Sequence, residues 1–342
     1  MIRSTFVLPL VIAALESWLA VSAQAQQSEA TPYTVAADPA ETGNITVTIL
    51  GSGTPTASAT QAGPAILVQA GGRNFLFDCG RGCTTRLMQY DPALLTKIDA
   101  VFLTHLHSDH VTGLPDLWLN GWAQGRETPL PIYGPIGSEN VLPGLRAAYA
   151  DDIVYRLADG APANADGLAD ATQTVPDSGG IIYDMEGVNI AAFPVEHGAT
   201  RAFGYRIEQS EQTIVLSGDT TDTPTLVDAA EGADLLLLEV LSPAMVSYLR
   251  RSFASDMAER IIGLHMTATQ TAALLAESNP KLGVYYHTVN NPASAQGLLE
   301  TTARHYDGDV LVSSDLMTIT VGPDGVCSTF ADGGEVQCAT GQ

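Results

Sequence analysis

Four side chains of the kind that bind metals crowd into six residues of the stretch VFLTHLHSDHVTGLP, residues 101–115. His105, His107, Asp109 and His110 form an H-x-H-x-D-H pattern directly behind a short apolar run. Neutral imidazole and carboxylate are zinc ligands, and a catalytic zinc takes three protein ligands plus a water. On a tight loop, His105 and His107 face one side while Asp109 and His110 face the other. Two pairs on one loop imply two neighbouring metals, each needing further ligands from elsewhere in the chain.

The rest of the sequence reads as a series of strands that deliver such ligands. NITVTILGSG alternates apolar and polar residues and ends in glycines, which predicts a strand and turn. PAILVQAGGRNFLFDCG predicts a hairpin turning at Gly71-Gly72, followed by a helix over RGCTTRLMQYD. IDAVFLTH is a buried strand with the metal-type cluster at its end. GVNIAAFPVEH ends on His197, the hairpin AFGYRIEQSEQTIVLSGDT ends on Asp219, ADLLLLEV ends near Glu239, and LGVYYH ends on His287. TQTAALLAES and SAQGLLETTARHY have helical spacing, and DVLVSS and LMTITVG are further strands. Each candidate thus sits where a strand stops, the usual place for chemistry in α/β folds. The ligand count closes with His105, His107 and His197 on one metal, and with Asp109, His110 and His287 on the other. Asp219 bridges the two.

With these residues in place, the chain resembles the metallo-β-lactamase superfamily. The resemblance spans residues 45–321 and rests on THLHSDH, FPVEH, LSGDT and YYH in the family's order. It implies an α/β fold, the four-layer αββα metallo-β-lactamase sandwich, with the metals at one edge of the two sheets. ILGSGTP and LFDCGRG are similar to the branch that contains ribonuclease Z and the arylsulfatase- and phosphodiesterase-type hydrolases. His265-Met266-Thr267 resembles that branch's His-Ser-Thr element. Glu239 matches the Glu of its His-Glu-Ala-Thr element, with Leu238 standing where the element has His. True β-lactamases of the superfamily commonly use a Cys ligand at the second metal. Asp219 takes the bridging place here, so β-lactam hydrolysis is a minor expectation. The resemblance also implies a homodimer.

Residues 1–25 carry one Arg, an apolar stretch and the triplet Ala23-Gln24-Ala25, the shape of a secretory signal peptide cut after Ala25. Glu16 interrupts the apolar run, which argues against a retained membrane anchor, so a secreted or periplasmic protein without a membrane partner is expected. Residues 26–42 read as a linker and 43–342 as a single hydrolase domain. Within it, 151–180 reads as an acidic insertion with six Asp and one Arg, and 323–342 as a C-terminal tail. Export permits disulfides among Cys79, Cys83, Cys327 and Cys338, and three pairings remain open. A bridge between Cys327 and Cys338 would pin the tail. Cys79 and Cys83 are close enough to bridge if CGRGC opens a helix; a zinc site is their rival reading, but no third and fourth ligand lies near.

The formal net charge is −23, unchanged when residues 1–25 (one Arg, one Glu) are removed, and the chain has only two lysines. Nucleic-acid binding draws on Lys and Arg to neutralise phosphates, so the expectation from charge is no nucleic-acid partner. The leading functional expectation is an exported hydrolase of small-molecule phosphodiester or aryl sulfate esters. It would use two Zn2+ per chain, with Mn2+ or Fe as alternatives, and a hydroxide held between them as nucleophile. Asp109 would orient that hydroxide, and His265, held by Glu239, would protonate the leaving group. The rivals are a lactone or carboxylic-ester hydrolase on the same centre, a tRNA-processing nuclease, and a metal-binding protein without turnover. Trp118 and Trp122, four apart in DLWLNGW, are read as packing residues, with a pocket wall as the alternative.

Overall fold

A computed structural model describes residues 43–289, 291–331 and 336–339; the signal-peptide, linker and cleavage-site expectations fall outside them. In chain order the first elements are β1 (Ile45–Gly51), β2 (Ala65–Ala70), β3 (Arg73–Phe77), α1 (Cys83–Tyr90), β4 (Ala100–Phe102), α2 (Ser108–Val111) and α3 (Leu114–Ala123). They are followed by β5 (Ile132–Gly134), α4 (Val141–Ala148), α5 (Ala150–Ala158), β6 (Thr172–Thr174), β7 (Gly180–Met185), β8 (Val188–His197), β9 (Thr200–Gln209) and β10 (Gln212–Leu216). The last third holds α6 (Pro224–Ala230), β11 (Leu235–Glu239), α7 (Pro243–Ser252), α8 (Ser255–Ile262), α9 (Ala268–Ser278) and β12 (Leu282–Tyr286). It ends with α10 (Pro292–Thr302), β13 (Val310–Val312), β14 (Met317–Gly322), β15 (Gly325–Thr329) and β16 (Gln337–Ala339).

The strands form two mixed sheets, one ordered β16-β15-β14-β1-β2-β3-β4-β5-β6 and the other β13-β12-β11-β10-β9-β8-β7. The sheets face each other across one apolar layer, and helices cover the outer faces, giving the αββα sandwich. The leucine run of β11 shows why. Leu235 and Leu237 join the layer between the sheets, while Leu236 and Leu238 pack with Leu226 of α6 and Leu275 of α9 on the other side. A strand covered on both faces needs apolar residues at every position, and each buried leucine contributes roughly 1.5–3 kcal/mol. Rings of Phe77, Phe102 and Tyr205 meet at 5.0–5.8 Å in the central layer. The β2–β3 hairpin turns at Gly71 and Gly72, both at positive φ, with Ala70 opposite Arg73.

Several sequence expectations take definite form. Trp118 and Trp122 are 0% and 1% exposed, so they pack the interior and line no pocket wall. Cys327 and Cys338 are bridged, and they face each other across β15 and β16. Cys79 and Cys83 are buried free thiols. Within the acidic segment 151–180, β6 pairs in parallel with β5 as a sheet edge, and Leu168 and Val175 are buried. Among the described residues, no helix is long and apolar enough to cross a membrane.

Candidate metal centre

The ends of six strands converge at one rim of the sandwich. Asp78 follows β3, His105 follows β4, and His197 closes β8. Asp219 follows β10, Glu239 closes β11 and His287 follows β12. The loop after β4 turns into α2, which places Asp109 and His110 one helical turn from His107. A close backbone approach holds that loop down: a Cβ at Gly80 would run into the carbonyl oxygen of Asp109. This gives the glycines of LFDCGRG a local reason. Asp78 and His287 both adopt positive φ, 57° and 51°, a conformation that is costly for residues with a Cβ and concentrates at functional sites.

All seven residues of the predicted ligand set lie together. His105, His107 and His197 offer ligand atoms within 4.8 Å of one another, as do Asp109, His110 and His287. Asp219 sits between the groups: its carboxylate is 4.0 Å from His105 Nε2 and 3.8 Å from His197 Nε2. On the other side it is 3.5 Å from His110 Nε2 and 3.6 Å from His287 Nε2. His107 is the exposed member and marks the open side of the centre; the other six are buried.

The donor set fits cations. His105 Nε2, His110 Nε2 and Asp219 Oδ1 are buried and have no hydrogen-bond partner, although buried polar atoms are normally satisfied. Three orphaned atoms that face one another are what a metal site leaves when only the protein is considered. The electrostatics agree. Burial pushes His105 well below the ordinary imidazole range, and neighbouring His110 adds to this, so His105 is neutral and ready to ligate. Burial also penalises charge on His110, but Asp219 and Asp78 outweigh it and raise that imidazole well above its usual value. Asp219 is held far below the usual carboxylate range because His287 and His110 outweigh its burial. The pocket therefore attracts positive charge, whether as protons or as metal.

A second ring of contacts orients the ligands. Asp78 Oδ2 lies 2.7 Å from His110 Nδ1 and accepts from Thr104 Oγ1 at 2.8 Å, while Oδ1 accepts from Thr104 N at 2.8 Å. Thr104 Oγ1 also meets His105 Nδ1 at 3.0 Å. His197 Nδ1 faces the Leu264 carbonyl at 2.9 Å, and His107 Nε2 faces Thr200 Oγ1 at 3.2 Å. Such partners fix the tautomer and the ring angle of a ligating histidine. Sequence reading assigned none of them a role. Asp78 was findable, since it too sits where a strand stops; a backbone carbonyl carries no signal of its own.

His265 and Glu239 form the remaining pair. His265 Nδ1 lies 3.2 Å from both carboxylate oxygens of Glu239. Glu239 is 1% exposed and also accepts from the Thr220 and Met266 backbone N–H groups. Burial lowers the His265 pKa, but Glu239 outweighs this and pushes it up to about 9. The His265 ring centre is 5.0 Å from that of His197 and 6.1 Å from that of His287, so the pair borders the metal centre. Leu238, which replaces the element's His, packs on the helix side of β11 and leaves Glu239 facing the site.

Fold and site together define a metal-dependent hydrolase. The chain matches the Beta-lactamase superfamily domain over residues 73–288 and belongs to that superfamily. It is 32% identical over 292 residues to "Ribonuclease Z" of Mycobacterium bovis (strain BCG / Pasteur 1173P2), covering 82% of this chain and 99% of the relative. It is 33% identical over 285 residues to "Ribonuclease Z" of Mycolicibacterium paratuberculosis (strain ATCC BAA-968 / K-10), covering 81% and 98%. Among solved structures it is similar to the metallo-beta-lactamase fold protein YhfI from Bacillus subtilis, with TM-score 0.63, 19% identity and coverage of 81% and 99%. It is also similar to human tRNase Z, short form, with TM-score 0.57, 24% identity and coverage of 81% and 99%. The expectation of a small-molecule phosphodiester or sulfate-ester substrate does not hold against relatives named for a ribonuclease, and neither does that of no nucleic-acid partner. A formal net charge of −23 sums over the whole surface and says nothing of a local one.

Proposed function

We propose that this chain is a binuclear zinc ribonuclease that hydrolyses RNA phosphodiester bonds. Likeness to ribonuclease Z along 99% of that protein's length carries the reading. The orphaned buried ligand atoms supply the chemical support. His105, His107 and His197 would hold one ion, Asp109, His110 and His287 the other, and Asp219 would reach both. When bound, the ions supply Lewis-acid charge for a phosphate oxygen and acidify water.

The chain's own residues do the rest. Asp109 lies 3.2 Å from His287 Nε2 and orients the attacking water. Glu239 fixes the His265 ring through Nδ1, which leaves Nε2 to hold the proton for the departing sugar oxygen. His107 is the exposed member of the set and marks the side from which substrate would approach. The direct test is zinc-loaded protein with a 3′-extended tRNA transcript, followed by end mapping. Cleavage that EDTA abolishes is expected. Zinc-loaded protein that leaves this transcript and other RNAs intact would refute the reading.

A further inference from the structure

The chain leaves the site after Glu239 and returns to it at His265, and between these it builds a helical hairpin, α7 and α8. The hairpin's two feet are tied together: Leu241 N donates to Met266 O at 2.8 Å, and Leu241 bridges Thr267. Its exit foot reaches the metal centre. The Leu264 carbonyl meets His197 Nδ1, and the Leu264 side chain lies against Gly198, where a Cβ would collide with it.

The hairpin has its own small core. Leu249, Ala258 and Ile262 are buried together, with Met245, Val246 and Ile261 packed against them. This uses up the inward faces. Large side chains nevertheless stay exposed: Tyr248 is 51% exposed on α7, Met257 52% on α8, and Phe253, in the turn between them, 41%. Arginines accompany them. Arg251 is three residues from Tyr248 on α7, and Arg260 is three from Met257 on α8, a spacing that puts each pair on one side of its helix.

The same element is locally basic. Residues 243–264 hold Arg250, Arg251 and Arg260 against Asp256 and Glu259, a local sum of +1 in a chain of −23. Arg250 is taken up by Glu259 at 2.7 Å. The other two guanidiniums are on exposed residues and form no ion pair among the described residues. Exposed aromatics interleaved with cations are the surface on which single-stranded nucleic acid binds, since every base has a face to stack and every linkage a charge to meet.

We propose that the α7–α8 hairpin is the substrate-engaging element, on which single-stranded RNA next to the scissile bond stacks against Tyr248 and Phe253 and pairs its phosphates with Arg251 and Arg260. The inference rests on the ribonuclease reading. The hairpin is continuous in chain with Glu239 and His265, and its foot at Leu264 touches His197. A second copy of the chain is the competing occupant, and it would have to match an outward surface that presents like-charged arginines on both partners.

The test uses the zinc-loaded full chain with a labelled single-stranded oligoribonucleotide. For Arg251→Gln/Arg260→Gln, KM should rise with kcat retained. The slope of log affinity against log salt should shrink by about 1.4, at about 0.7 per phosphate contact. Phe253→Ala and Tyr248→Ala should each weaken RNA binding roughly 10-fold through lost stacking. Thermal melts confirm that each variant is folded. RNA affinity and salt slope that stay at wild-type values in all of these folded variants overturn the proposal. So does a dimer that the same substitutions convert to monomer without loss of RNA affinity. Wild-type protein that turns over a nitrophenyl phosphodiester but neither binds nor cuts RNA defeats the ribonuclease reading, and this proposal with it.

Discussion

Changing Asp78 to Asn moves one proton and removes almost no volume, and it should empty part of the metal centre. The Asp78 carboxylate is 3% exposed and has three polar neighbours: Thr104 N, Thr104 Oγ1 and His110 Nδ1, at 2.8, 2.8 and 2.7 Å. The backbone N–H of Thr104 can only donate, so it holds the amide oxygen of the introduced side chain at the Oδ1 place. The alternative flip sets two donors face to face and costs about 1–3 kcal/mol. The new NH2 group must then take the Oδ2 place, where it donates to His110 Nδ1. The imidazole responds by carrying its proton on Nε2, the atom that faces Asp109 and Asp219 at 3.5 Å. A protonated Nε2 has no lone pair for a metal. Loss of such an orienting carboxylate weakens metal binding about 10–100-fold, or roughly 1.4–2.7 kcal/mol. The assay is zinc content after dialysis against a competing chelator, compared with wild type. Thr104→Val leaves the His110 tautomer in place but takes the hydroxyl partner from His105 Nδ1, so any zinc it loses should be lost through His105. Asp78→Asn protein that retains two ions at wild-type affinity would refute the tautomer argument.

Metal analysis of the purified protein should find about two zinc per chain, and one or none contradicts the binuclear assignment. His265→Ala should slow RNA cleavage by about 10²–10⁴-fold, and Glu239→Gln should lower the same rate; a His265→Ala rate near wild type removes His265 as the acid. Stability of the metal-free protein should fall on acidification. Asp109 and Asp219 have folded pKa values below their unfolded ones, so their contribution is present above the ordinary carboxylate range and is lost as pH falls through and below about 4. Thermal melts across that range check this, and a flat profile contradicts it. Cys327→Ser opens a bridge of sequence separation 11, which on loop entropy is worth about 3 kcal/mol to the β15–β16 tail; proteolysis of the tail should speed up accordingly.

The fold was legible because its strands announce themselves. Buried runs such as LLLLE and hairpins with paired glycines leave few alternatives, and a polar residue placed just past each run marks the rim where the strands end. The clustering of the candidate ligands was legible for the same reason, since His197 closes a strand and Asp219 and His287 follow one. What stayed hidden depends on partners far apart in sequence. Asp78 acquires its role only through His110, which is 32 residues away, and the Leu264 carbonyl through His197, 67 residues away. Trp118 and Trp122 show the limit of spacing arguments. Two aromatics on one helical face are compatible with a core or a cleft, and only burial separates the two.

Charge was misread most instructively. At physiological ionic strength, fields are screened over about 8 Å, so a distant carboxylate on this surface has little say in what happens at the rim. Locally the balance differs: two divalent ions would bring four positive charges to a pocket whose ligands include two carboxylates, Asp109 and Asp219, and α7–α8 adds the guanidiniums of Arg251 and Arg260. The acidic remainder then has a consequence of its own. Averaged over the rest of the surface it disfavours RNA, so binding on the proposed reading would depend on few contacts. A protein that meets RNA through two arginines and its metal ions should show a shallow salt dependence, with the arginines adding only about −1.4 to the slope, unlike nucleic-acid binders that spread many lysines over the backbone. A steep slope in the wild type would mean that further phosphate contacts exist elsewhere on the surface, and would move the search for them to cations away from the hairpin.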